Sequence, residues 1–205
     1  SGTLTSTGGS ASITSSGANI NLTNAVSAPS GVTLSAKTTV ASAAVTASSG
    51  AFTVSSTDST VTVNGTSSAQ SISITPKTTY TGAGSLTATS GTLTISGGSS
   101  ITPTGNFQAA GDVTLSGSGQ ALIVGRTINS TSGSITITAG PTAATAIDLQ
   151  SSTLTSGSQA ITLSGTSSGA DPGVRIRVSS TVQTNSGDIV IAGIGTCLLY
   201  TSPSP

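Results

Sequence analysis

Few side chains in this sequence could perform acid–base or metal chemistry. It has no Glu and no His, and its acidic residues are Asp58, Asp112, Asp148, Asp171 and Asp188. Glycoside hydrolysis by paired carboxylates needs two carboxyl groups about 5–10 Å apart, and a conventional serine triad needs a histidine base. Calcium-binding nonapeptides of the Gly-Gly-x-Gly-x-Asp type are absent from the sequence. We therefore predict no catalytic, metal or cofactor site, and a protein that is not an enzyme.

The basic residues do not form a stripe. They are scattered along the chain as Lys37, Lys77, Arg126, Arg175 and Arg177. Nucleic-acid binding needs clustered cations that neutralise phosphates, so we expect no nucleic-acid partner. No apolar run approaches the roughly 18–20 residues of a membrane helix, and we expect no membrane-spanning segment.

The composition favours an ordered β protein over a disordered one. Ser and Thr supply 41 and 39 of the 205 residues, and Gly supplies 26. Such a bias is common in disordered chains, but those usually combine high net charge with few β-branched residues. Here the formal net charge is zero, and Val, Ile and Thr, which suit a pleated surface, are abundant.

One short pattern recurs along the chain: two apolar residues separated by a small polar residue. The spacing between successive copies is 21, 20, 20, 21, 20, 22, 26 and 28 residues. Alternation with period two points both apolar residues to one face of a strand. The copies are Ala11/Ile13, Val32/Leu34, Phe52/Val54, Ile72/Ile74, Leu93/Ile95, Val113/Leu115, Ile135/Ile137, Ile161/Leu163 and Ile189/Ile191.

Further apolar positions recur within each repeat. One set follows about eight or nine residues after the first apolar residue and includes Val40, Tyr80, Ile101 and Leu122; a second follows at thirteen to fifteen and includes Phe107. In the longer repeats these positions move to Ile147 and Leu154, then Ile176 and Val182. The sequence therefore predicts an all-β, single-stranded parallel β-helix of about nine rungs of 20–28 residues, with three short strands per rung. Stacked immunoglobulin-like domains are the alternative, although a period of about 21 residues is far below their length of about 100.

Glycine and aspartate mark the corners of the predicted rungs. Gly stands two residues before the first apolar residue in six of the nine copies, at Gly9, Gly50, Gly91, Gly111, Gly133 and Gly187. We expect these glycines to take the positive φ of a tight corner. Asp112 and Asp188 occupy equivalent corner positions several rungs apart, so we expect each to hydrogen-bond nearby backbone.

Arg175 and Arg177 alternate with Val174, Ile176 and Val178, so both arginines should face solvent. Placing Ile147 over Ile176 sets Asp148 beside Arg177 on the adjoining rung, with Gln150 as a one-residue insertion. This register predicts a surface ion pair worth about 0–1 kcal/mol. A ligand-binding role for the two arginines is the alternative.

The polar middle residue of each apolar pair should form a ladder on the outside of the coil. A regular Thr lattice on a flat face resembles that of ice-binding proteins, but Thr is also simply a good polar strand residue. Its members are Ser12, Thr33, Thr53, Ser73, Thr94, Thr114, Thr136 and Thr162, with a second file at Thr14, Ser35, Ser55, Thr75, Ser96, Ser116, Thr138 and Ser164.

The repeat motifs resemble those of filamentous-haemagglutinin-like bacterial adhesins. They include Gly-Asp-Val-Thr-Leu-Ser (111–116), Gly-Ser-Ile-Thr-Ile-Thr (133–138) and Gly-Asp-Ile-Val-Ile (187–191). The resemblance covers most of residues 9–193 and implies a right-handed β-helix, secretion or surface display through a two-partner or autotransporter route, an outer-membrane secretion partner, and adhesion. We expect a structural or adhesive stalk that binds a glycan or protein surface of a host or the environment. The alternatives are an ice-binding protein and a structural fibre of a phage or surface layer.

The last nine residues differ from everything before them. Cys197 begins the segment CLLYTSPSP (197–205), which matches one reading frame of a transposon-end adaptor used in sequencing libraries. We expect residues 1–196 to be an uncapped β-helix segment of a longer protein and 197–205 to be a non-native tail; a natural Pro-rich linker is the alternative. The cut ends of such a coil would expose unpaired strand edges, so we also expect self-association through the rung ends.

Overall fold

The computed structural model describes residues 3–142 and 144–195, and these residues form strands and turns but no helix. The strands are, in chain order, β1 (Leu4–Thr5), β2 (Ala11–Ser15), β3 (Ile20–Asn21), β4 (Val26–Ser27), β5 (Gly31–Ala36), β6 (Val40–Ser42), β7 (Val45–Ser56), β8 (Val61–Val63), β9 (Ser67–Thr75), β10 (Thr79–Gly82), β11 (Leu86–Ala88), β12 (Leu93–Ser96), β13 (Ser100–Pro103), β14 (Phe107–Ala109), β15 (Val113–Ser116), β16 (Gln120–Val124), β17 (Thr127–Ser130), β18 (Ile135–Thr142), β19 (Ile147–Gln150), β20 (Thr153–Ser156), β21 (Ile161–Ser167), β22 (Val174–Arg177), β23 (Thr181–Thr184) and β24 (Ile189–Ile194).

Three ladders of parallel strands form the walls of the coil. Sheet A contains β3, β6, β8, β10, β13, β16, β19 and β22. Sheet B contains β1, β4, the first parts of β7 and β9, β11, β14, β17, β20 and β23. Sheet C contains β2, β5, the last parts of β7 and β9, β12, β15, β18, β21 and β24, and joins sheet B through β7 and β9. The chain visits C, A and B in turn, which confirms the predicted parallel β-helix with three strands per rung.

The nine predicted apolar pairs stack in register on sheet C. Val32 pairs with Phe52, Phe52 with Ile72, and so on through Ile161 with Ile189. Since successive parallel strands lie about 4.8 Å apart, nine rungs give a rod of roughly 40 Å. A rung cannot bury its inner side chains alone, so stacking on its neighbours stabilises each one.

The interior is a continuous apolar column that contains a pair of aromatic rings. Tyr80 of sheet A and Phe107 of sheet B are fully buried and meet with ring centroids 6.1 Å apart at an interplanar angle of 55°. Gly82 makes room for the tyrosine, because a Cβ there would lie 2.9 Å from the phenol oxygen. A fully buried side chain of this size contributes roughly 1.5–3 kcal/mol.

The two longer rungs carry most of their extra residues at the corner between sheets C and A. Val113 precedes Ala121 by eight residues, whereas Ile135 precedes Ile147 by twelve. The extra length extends β18 and β21 beyond the apolar pair, with a register shift between Ala139 and Thr142. Of the predicted later apolar positions, Ile147 and Leu154 are buried, and Ile176 and Val182 pack against the core. Val182 is the equivalent of Leu154 as predicted, but the equivalent of Ile147 is Val174 and not Ile176.

The expected reason for the corner glycines is wrong. None of the six takes a positive φ; glycines that do include Gly31 and Gly97. Most of the six are instead required by close approach of adjacent rungs. A Cβ at Gly50 would lie 1.9 Å from the carbonyl oxygen of Ser30, and one at Gly133 would lie 2.3 Å from the carbonyl carbon of Gly111.

One predicted core position on sheet A is also wrong. Leu122 is partly exposed and points outward, while Ala121 and Ile123 on either side of it are fully buried. The register explains the exchange, because Ala121 stacks between the buried residues Ile101 and Ile147. The sequence pattern favoured Leu122 because leucine is larger and more apolar than its neighbour Ala121.

Candidate functional site

The outer face of sheet C carries the predicted file of hydroxyl side chains. Thr33 lies beside Thr53, and Thr94, Thr114, Thr136 and Thr162 follow one another on consecutive rungs. Thr33 is exposed and the other five are half-buried. The sequence therefore placed all six threonines correctly, on one outward line that only Ser73 interrupts between Thr53 and Thr94.

The second file runs beside the first and is also in register. Ser35, for example, lies beside Ser55, and the Ser55 hydroxyl donates a 3.1 Å hydrogen bond to the Ser35 oxygen. Both files turn apolar on β24, where Val190 follows Thr162 and Ala192 follows Ser164. Together the files form a lattice with one row per rung, about 4.8 Å apart.

Sheet A presents a different surface at its last three rungs. Asp148 of β19 lies beside Arg175 of β22, and Gln150 lies beside Arg177. Nε and Nη2 of Arg175 donate to the two carboxylate oxygens of Asp148 at 3.3 and 2.7 Å. The same two nitrogens of Arg177 donate to the same oxygens at 3.1 and 2.9 Å. One carboxylate is thus held by two bidentate guanidinium groups, an arrangement that fixes geometry as well as charge.

The burial of these three side chains is uneven. The Asp148 side chain is 3% exposed, whereas those of Arg175 and Arg177 are 31% and 38% exposed. Burial alone would raise the pKa of Asp148, but the hydrogen bonds from Arg175 and Arg177 outweigh it and lower that pKa. The bonds to Asp148 likewise raise the pKa of Arg175. The carboxylate is ionised and the cluster carries one excess positive charge.

The structure corrects the predicted register here. Ile147 lies beside Val174, not Ile176, and Gln150 pairs with Arg177 and is no insertion. The ion pair between Asp148 and Arg177 is confirmed, but the second pair with Arg175 was not predicted. Nor is this a surface pair, since Asp148 is buried; removing its partners would leave an uncompensated charge that costs about 3–5 kcal/mol.

Asp112 and Asp188, the aspartates at equivalent corners, lie on separate rungs. The Asp112 carboxylate accepts hydrogen bonds from the backbone N–H and the hydroxyl of Ser134, at 2.7 and 2.9 Å, so its predicted role as a corner residue is confirmed. Asp188 lies three rungs further along the coil. Within residues 3–142 and 144–195, no group of three or more His, Cys, Asp or Glu side chains could hold a metal ion.

A shallow groove that sequence reasoning missed lies at the corner after sheet C in the first rungs. It has a volume of about 320 Å³ and is lined by Thr14, Ser15, Ser16, Ser35, Ala36, Lys37, Thr57 and Asp58. Its walls come from three successive rungs, and only the register of the coil brings these residues together. No sequence motif marks it.

No family model matches this chain. Comparison with curated proteins and with solved structures likewise gives no significant match. In the part of the chain that the structure describes, no helix has the length and apolar character needed to cross a membrane. The segment 197–205, interpreted above as a non-native tail, lies outside the described residues.

Proposed function

We propose that the solenoid is a stalk segment of a secreted or surface-displayed bacterial adhesin, which binds through its extended polar strand faces and catalyses no reaction. The observation that carries the proposal is the pair of hydroxyl files on sheet C, which run in register across eight consecutive rungs. A rigid rod bearing a repeated row of weak hydrogen-bonding groups suits multivalent attachment, because many weak contacts on one body act together.

The expected partners follow from this proposal. A polar, hydroxyl-rich face suits a glycan or protein surface of a host or the environment, since hydroxyl groups both donate and accept hydrogen bonds. Passage to the cell exterior would require an outer-membrane secretion partner. The motifs at 111–116, 133–138 and 187–191 support this assignment through their resemblance to filamentous-haemagglutinin-like repeats.

Attachment of coated beads tests the adhesive role. Beads that carry the 205-residue chain should be retained on at least one surface of a panel of glycans and matrix proteins, at least tenfold more than uncoated beads. A variant with Thr94→Val, Thr114→Val and Thr136→Val keeps the shape and strand preference of sheet C but loses three hydroxyl groups, and its retention should fall. The matched control places the same change on sheet B, at Thr46, Thr87 and Thr155. Retention no better than that of uncoated beads would refute the proposal.

Ice binding is the second candidate, and the four stacked threonines from Thr94 to Thr162 favour it. A flat row of regularly spaced hydroxyl and methyl groups can match a crystal surface. If this is the function, the purified chain will show thermal hysteresis that the triple Thr→Val variant on sheet C changes and the sheet B control does not. Absence of hysteresis in the parent chain eliminates this candidate.

A further inference from the structure

The outer face of sheet A carries a graded column of side chains. Thr62, Thr81 and Thr102 lie on consecutive rungs, and the Thr62 and Thr81 hydroxyl oxygens are 3.2 Å apart. After them the column continues through Leu122, Asp148 and Arg175. A parallel column holds Val124, Gln150 and Arg177, and Val124 is 40% exposed. Along sheet A the surface thus changes from hydroxyl groups to an apolar step and then to cations.

The two arginines are oriented before any ligand arrives. Each uses Nε and Nη2 on Asp148, which leaves the third nitrogen, Nη1, without a hydrogen bond to any residue of the described ranges. Two positive charges face one buried negative charge, and both arginine side chains are about one-third exposed. A fixed guanidinium loses little entropy when it binds a second planar anion.

We propose that this face of sheet A binds an extended acidic polysaccharide, with the carboxylate of a uronic acid residue on the Nη1 groups of Arg175 and Arg177. The apolar face of a neighbouring sugar ring would lie over Leu122 and Val124, and sugar hydroxyl groups would hydrogen-bond to Thr102 and Thr81. Arg175 and Leu122 are two rungs apart, roughly 10 Å, about the length of a disaccharide. A carboxylate suits the site because guanidinium and carboxylate planes form paired hydrogen bonds.

Asp171 is an acidic residue near the site whose substitution tests the proposal. Its charge interacts with Arg175, it is exposed, and no ion pair joins it to a cation of the described residues. Its negative charge should repel an approaching carboxylate. Replacing Asp171 with Asn therefore removes a repulsion without disturbing the bonds between Asp148 and the arginines.

The test measures binding of a galacturonate hexamer to the full chain by calorimetry at about 0.15 M salt, where the screening length is about 8 Å, with the methyl-esterified hexamer as the neutral ligand. Arg177→Gln should weaken binding at least tenfold, while Arg175 still neutralises Asp148 and the melting temperature shows that the fold is retained. Asp171→Asn should tighten binding two- to threefold. Lys37→Gln makes the same change in net charge beside β6, two rungs beyond the Thr81 strand, and should leave binding unchanged because the salt screens it.

Several results would overturn the inference. They are equal binding of the esterified hexamer, an equal loss with Lys37→Gln, no tightening with Asp171→Asn, or equally tight binding of an aspartate octapeptide, which would mean that charge alone is recognised. The inference goes beyond the proposed adhesive function, because it concerns sheet A and not the hydroxyl files of sheet C. If the Arg177→Gln variant binds the hexamer as tightly as the parent chain does, the sheet A site fails and the adhesive function stands. If beads of the parent chain attach to no surface of the panel, the adhesive function itself fails.

Discussion

The phenol group of Tyr80 is an uncompensated polar group in an apolar interior. Its hydroxyl has no hydrogen-bond partner among the described residues, and burial raises its pKa, which keeps the group neutral. A buried hydroxyl without a partner costs about 1–3 kcal/mol in lost hydration. The ring itself is stabilising, since it fills the space beside Phe107 that Gly82 leaves open.

Removing only the oxygen should therefore stabilise the protein. We expect Tyr80→Phe to raise the free energy of unfolding by about 1 kcal/mol, because the ring contacts remain and the unpaired group is lost. Tyr80→Ala should lower it by about 3–5 kcal/mol through the cavity it creates. Urea unfolding followed by circular dichroism measures both. A loss of stability in Tyr80→Phe would mean that the hydroxyl has a partner, such as a buried water.

Asp148 makes part of the stability depend on pH. Its pKa in the folded chain lies below the ordinary value of 3.8, so its ion pairs contribute in full above that value and are lost as the pH falls through the folded pKa. We expect Asp148→Asn to be less stable than the parent at neutral pH, with the difference shrinking below pH 3.8. Thermal melting as a function of pH tests this, with Asp58→Asn as the control. A pH-independent difference would contradict it.

Among the corners of the coil, the one between sheets B and C requires glycine because adjacent rungs approach each other closely there. Adjacent rungs are one strand spacing apart, about 4.8 Å, and where two turns stack directly the backbone atoms leave no space for a side chain. Gly50 against Ser30 is the tightest of the six corner positions. At Gly17, by contrast, an added Cβ meets nothing within 4 Å.

Alanine substitutions test whether a corner position needs glycine because adjacent rungs approach closely there. Gly50→Ala should lower the free energy of unfolding by about 1–3 kcal/mol, because the Cβ forces two rungs apart. Gly17→Ala, which has neither a contact nor a positive φ, should be neutral or slightly stabilising. Urea denaturation of both variants compares them directly. Equal stability of the two would show that the rungs separate at little cost.

The same elements show how far the sequence predicts the structure. The apolar pairs of sheet C were predicted correctly because apolar and polar residues alternate strictly in each pair and because the pair recurs nine times along the chain. The core positions of sheet A are harder to predict. Ala121 and Ile123 flank an equally apolar Leu122, so local alternation allows either Leu122 or its two neighbours to face the core. To predict both ion pairs of the arginine cluster, one must know which residues of the two lengthened rungs lie side by side. The sequence does not show at which corner the extra residues lie, so it does not determine this register.

At the scale of the whole molecule, the coil presents an open apolar edge at its last described rung. Ile189, Val190, Ile191 and Ile194 of β24 are all exposed, Ile194 to 69%. On its outer side β24 pairs with no other strand of the described residues. An open edge with unpaired backbone groups is a template for another strand, and β2 at the opposite end offers the complementary edge. Joining unlike ends gives a head-to-tail contact that does not close.

We therefore expect copies of this 205-residue chain to associate end to end, with the average mass rising as concentration rises. Ile191→Lys should reduce the association, since a charge buried between two stacked rungs is costly. Thr33→Lys adds the same charge to the outer face of sheet C and should associate like the parent. Sedimentation velocity over a concentration series, with a reducing agent so that Cys197 cannot cross-link copies, measures the mass. A parent that stays monomeric throughout, or a Thr33→Lys variant that loses association equally, would show that the rung ends are not the contact.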